Sequence, residues 1–114
     1  MRPITQAEDA AWQRTSCVAL SEILAAHKSL PIIPWTATGG LRLYADISAY
    51  ADDPAGTFEA WRDALELGDE KAVRDTHVER RWVSGEYATK RGGDKVTLIV
   101  HVTVDLPEDE AVTS

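Results

Sequence analysis

The sequence predicts an α+β two-layer sandwich: a four-stranded antiparallel sheet with two helices on one face, in the order α-β-β-α-β-β. Three observations predict it. Leu41 to Ala49 alternates apolar with polar, Val96 to Val104 does the same, and the stretch before each hairpin carries apolar residues at helical spacing. Two amphipathic helices and one apolar sheet face can bury each other, which none of them can do alone. Residues 1–106 are expected to form a single domain, and 107–114, rich in acid and without apolar period, a disordered tail.

Each element has its own justification. Thr5-Gln6-Ala7-Glu8 fits a capping box, with Thr5 as N-cap and Glu8 reaching back to it. The helix it opens is expected to reach about Lys28, with Trp12, Ala19, Leu20, Ile23 and Leu24 on one stripe. Cys17, well inside that helix, is expected to be a small core residue. Ile32-Ile33-Pro34-Trp35 follows as a short strand, which Pro34 confines to an edge or a bulge. Thr38-Gly39-Gly40 is a turn. In the next strand Leu41, Leu43, Ala45, Ile47 and Ala49 point one way, while Arg42, Tyr44, Asp46 and Ser48 point the other. A short loop would set Trp35 opposite Leu43 and Ile33 opposite Ala45.

Asp52-Asp53-Pro54 opens the second helix, an acidic N-cap followed by proline in the first turn. Phe58, Trp61, Ala64 and Leu65 form its buried stripe, and Gly68 is the expected C-cap. Asp69 to Arg74 is a further helical turn or a loop. The chain then folds back on itself around Gly92-Gly93, a strong two-residue hairpin signal. With those glycines as the loop, Val83 faces Val102 and Tyr87 faces Leu98 on the apolar side. On the other side Arg80 meets Asp105, Trp82 meets Thr103, and Ser84 meets His101.

That other side is the surface of interest. It would carry Arg42, Tyr44, Trp82, Ile99 and His101, aromatic and aliphatic groups among charges, which is the character of an interface. Its partner would be another protein or a second copy of the chain. The net charge of −7 opposes direct binding to nucleic acid or to an anionic membrane. No apolar run approaches the roughly 20 residues of a membrane span, and no secretory leader is evident. With Cys17 as the single cysteine, no intrachain disulfide can form, and the cytoplasm is the expected compartment. Arginine outnumbers lysine eight to four and alanine is abundant, a bias expected of a high-GC bacterial genome or a phage or mobile element within one.

Catalytic chemistry finds little support. Ser84 beside His101, with Glu86 two residues along, has the residue types of a nucleophile, a base and an orienting carboxylate. An open sheet face, however, supplies no oxyanion hole. The three histidines, His27, His77 and His101, have no metal-ligand spacing, so neither a metal nor another cofactor is expected. Gly39-Gly40 and Gly92-Gly93 lack the lysine and helix of a phosphate loop.

The leading expectation is therefore a small, non-enzymatic protein-binding or regulatory module. One alternative is an enzyme or small-ligand domain, with Trp35, Trp61 and Tyr87 lining a pocket between sheet and helices. Another starts from charge. Asp52 to Glu70 holds seven acidic residues and one basic, so Glu59, Asp63 and Glu66 could imitate a phosphate row and inhibit a nucleic-acid-binding protein.

Overall fold

Backbone alternation decides which way each strand faces. In the computed structural model, which describes residues 6–38, 40–90 and 92–106 (side chains from Ala10), the elements are α1 (Gln6–Ala26), β1 (Trp35–Thr38), β2 (Arg42–Ile47), α2 (Pro54–Ala64), β3 (Gly68–Arg74), β4 (Val78–Ala88) and β5 (Lys95–Asp105). The Thr5 and Glu8 capping box and the tail 107–114 lie outside the described residues. Leu43, Ala45, Ile47, Val83, Val96, Leu98, Val100 and Val102 all point to one side and are buried. Ala19 and Ile23 of α1 and Phe58 and Trp61 of α2 close over them. The α+β sandwich with both helices on one sheet face is thus the observed architecture.

The sheet departs from the expectation in strand number and in strand direction. It has five strands in the order β1-β2-β5-β4-β3, and it is mixed: β2 and β5 run parallel, the other neighbours antiparallel. The four-stranded antiparallel sheet is corrected by a single added strand. Gly68–Arg74, expected as a helical turn or loop, pairs with β4 as an outer strand. All seven of its residues are exposed, so it lacks the half-buried alternation that marks a strand. The extra strand reverses the direction in which the chain arrives at β5. Adjacent parallel strands need a long crossover, and α2, β3 and β4 together make it.

Both hairpin registers differ from expectation by two residues. In the second, Val83 pairs with Val100, Tyr87 with Val96, Trp82 with His101 and Ser84 with Ile99. The loop is longer than the Gly-Gly dipeptide. Thr89 N–H donates to Asp94 O at 2.9 Å and encloses residues 90–93, with Gly92 and Gly93 both at positive φ (95° and 69°). In the first hairpin Trp35 pairs with Ala45 and Ala37 with Leu43. The strand begins at Trp35, and Ile32 and Pro34 stay outside it. Because side chains alternate with period two, a shift of two keeps every residue on its face.

Local signals fix the helix ends. Asp53 caps α2, its Oδ1 accepting from Gly56 N–H at 3.1 Å, and Pro54 follows at the first helical position. At the other end Leu67 N–H reaches Arg62 O at 2.9 Å and Glu66 N–H reaches Asp63 O at 3.3 Å. These two bonds form a Schellman cap, with Glu66 as its left-handed residue at φ 53°. The chain therefore ends α2 without using Gly68. Leu67 then turns inward, and its Cδ2 would lie 2.7 Å from any Cβ added at Gly85, so that glycine makes room for it. On α1, Ser16 is the buried residue and Cys17 is exposed, which corrects the expected core cysteine. The helix rotates about 100° per residue, which turns Ser16 toward the core and Cys17 away from it.

Candidate functional site

The polar-side residues of the five strands meet as rows across the sheet. One row runs Thr36, Tyr44, Ile99, Ser84; the next runs Asp46, His101, Trp82, Lys71. Thr103, Arg80 and Val73 flank them on one side, and Thr38, Arg42, Thr97 and Glu86 on the other. Both helices pack on the opposite face, and among the described residues no helix or strand lies over this one. All five residues singled out from the sequence, Arg42, Tyr44, Trp82, Ile99 and His101, fall on this one surface. Tyr44, Ile99, His101 and Trp82 form a contiguous, half-buried centre, and Arg42 sits at the margin.

The parallel pairing adds a partner that sequence reasoning missed. It places Asp46 beside His101, with Oδ1 2.9 Å from Nδ1. A carboxylate can only accept, so Nδ1 carries the proton and Nε2 is left as the acceptor in the neutral ring. The Trp82 ring lies 6.2 Å from the imidazole at 39°. Burial pushes the Tyr44 phenol above its ordinary value, and the charge of Asp46 adds to the shift. Ser84 is opposite Ile99, so the serine and histidine expected to face each other do not. Val73, 56% exposed, continues the apolar character toward the β3 edge. Alternation along β2 already put Asp46 on this face; only the strand order, which no local pattern encodes, brings it to His101.

The acidic group lies elsewhere. Glu59 Oε1 is 3.6 Å from Arg81, and Asp63 Oδ1 is 2.9 Å from Arg62. Glu66 is the left-handed residue of the helix cap. Arg62 and Arg81 also reach Glu70 at 2.8 and 3.1 Å, and Arg81 stacks over the Phe58 ring at 4.8 Å. These contacts tie α2 to β3 and β4. They hold the Glu70 carboxyl below its usual range, Arg62's hydrogen bond contributing most, and raise the Arg62 guanidinium, the Asp63 bond first.

Trp35 and Trp61, expected to line a pocket, do share one. A cleft of about 580 Å³ opens between the C-terminal half of α1 and the segment leading into β1. Tyr87 is not part of it; its hydroxyl donates to Glu22 on α1 at 2.8 Å. Among the described residues no group of three His, Cys, Asp or Glu side chains could hold a metal ion, and no helix is long and apolar enough to cross a membrane. No family model matches the chain, and no curated protein does either.

Proposed function

We propose that the chain is a non-enzymatic protein-binding module and that its uncovered sheet face is the contact surface. The observation that carries this reading is the continuity of Tyr44, Ile99, His101 and Trp82 across three adjacent strands with neither helix above them. An aromatic and aliphatic centre within a charged margin is the composition of a protein interface. The margin holds both signs, Arg42, Arg80 and Lys71 against Asp46 and Glu86. A surface of mixed sign can complement itself, as a two-fold interface requires, so a second copy of the chain is the occupant we favour.

The test is light scattering during size-exclusion chromatography over a range of loading concentrations, with thermal denaturation alongside. Wild type is expected to shift from 12.5 kDa toward twice that mass as concentration rises. The double variant Trp82→Ala, Ile99→Ser should stay monomeric with nearly unchanged thermal stability. A wild type that remains monomeric throughout would remove self-association. A double variant that unfolds would show the face to be core.

A further inference from the structure

The cleft beside α1 is the second feature that the fold does not use for its own packing. Its walls are Leu20 and Leu24 of α1, Ile33, Trp35 and Trp61. It is held open by the segment that follows α1. Trp61 Nε1 donates to Pro31 O at 2.8 Å, and Leu30 N–H donates to His27 O at 3.2 Å. The Trp61 ring meets Trp35 edge-on at 5.6 Å and His27 at 6.4 Å. At about 580 Å³ the space falls within the range of small-molecule sites, and its mostly apolar walls with few polar groups match their usual composition.

Polarity within the cleft is one-sided. The chain has 19 acidic residues against 12 basic, yet no carboxylate lines this cleft, whereas His27 and Lys28 do. Within the cleft wall, Pro31 O already takes the Trp61 N–H. A ligand suited to these walls has an apolar body, and an anionic head gains from Lys28 at the rim.

We propose that this cleft is a binding site for an amphipathic carboxylate, an apolar chain or ring ending in a carboxylate, with the body against Leu24, Trp35 and Trp61 and the head toward Lys28. The site is separate from the sheet face.

Isothermal calorimetry on the full chain tests it with decanoate, decanol and decylamine as probes. Decanoate is expected to bind at one site and more tightly than either neutral or cationic analogue. Leu24→Trp fills the cleft from a position 46% exposed, so it should leave folding intact and weaken decanoate at least about tenfold. Lys28→Glu, on the exposed rim, should weaken it about fivefold and leave decanol unaffected. Equal binding of all three probes would overturn the carboxylate assignment, and absence of saturable binding would overturn the site. Ile32, 99% exposed at the cleft margin, reports the competing occupant. If another chain fills the cleft, Ile32→Ser will dissociate an oligomer that Trp82→Ala leaves intact, and that result would also overturn the ligand.

Discussion

Leu98 and Ile99 are chain neighbours of the same size, and the fold places them on opposite faces of β5. Leu98 is 1% exposed among the core residues; Ile99 is half-buried between Tyr44 and Ser84 on the uncovered face. Truncating Leu98 to alanine removes buried methyl groups and leaves a cavity that helices on one side and backbone on the other cannot close. Such changes cost about 3 kcal/mol, a large part of the roughly 5–15 kcal/mol that holds a domain folded. In a chain of this length the loss should lower Tm by about 10 °C. Ile99→Ala opens no enclosed void and loses cross-strand contact alone, below about 1 kcal/mol. Urea and thermal unfolding followed by circular dichroism would measure both. The consequences for association should run the other way, with Ile99→Ala weakening it and Leu98→Ala not. Equal destabilisation by the two variants would refute the two-faced strand and the interface built on it.

Other expectations come from single contacts. Glu66→Gly should stabilise the chain by about 0.5–1 kcal/mol, since glycine adopts the left-handed cap without strain; a lower urea midpoint would contradict the cap. Glu22 accepts from Lys90 N–H at 2.9 Å and from the Tyr87 hydroxyl, and these bonds, the backbone one first, hold its carboxyl below the ordinary 4.5. A depressed carboxylate contributes stability that is complete above 4.5 and lost as pH falls through its folded-state value. Urea midpoints of wild type and Glu22→Gln should therefore differ at neutral pH and converge in acid; a gap that persists there would show the charge to be irrelevant. Arg81→Met and Glu70→Gln, singly and together, should show a coupling of about 0.5–1 kcal/mol, because both groups are partly exposed; additive losses would mean that the pair does not help to dock α2.

What the sequence revealed depended on period. Alternation from Leu41 to Ala49 and from Val96 to Val104 was enough to place Arg42, Tyr44, Ile99 and His101 on one face, and the hairpin pairing added Trp82 to them. It could not choose between registers two residues apart, because both leave the same side chains facing the core. That choice is made by the loop, where Thr89 pairs with Asp94 across residues 90–93 and Glu22 on α1 takes the Lys90 N–H. A helical contact distant in sequence thus takes part in closing a turn, and no window around Gly92-Gly93 contains it. The Ser84 and His101 pairing fails for the same reason, and so does that of Arg80 with Asp105: Arg80 pairs with Thr103 and Asp105 with Val78.

The strand that alternation could not reveal shows a different kind of sequence signal. β3 is Gly-Asp-Glu-Lys-Ala-Val-Arg, charged on both sides and exposed along its length. A core strand cannot look like this, but an outermost strand is better for it, since charged side chains discourage pairing with another chain's edge. β1, at the opposite border, spans only Trp35–Thr38 and is preceded by Pro34, another recognised form of edge protection. Both borders are thereby poor templates for strand addition, while among the described residues no helix or strand covers Tyr44, Ile99, His101 and Trp82 on the broad face between them. The same strand sets the direction of β5, so its presence also brings Asp46 to His101. The association proposed for this chain would accordingly run by stacking of the open face rather than by extension of the hydrogen-bond ladder.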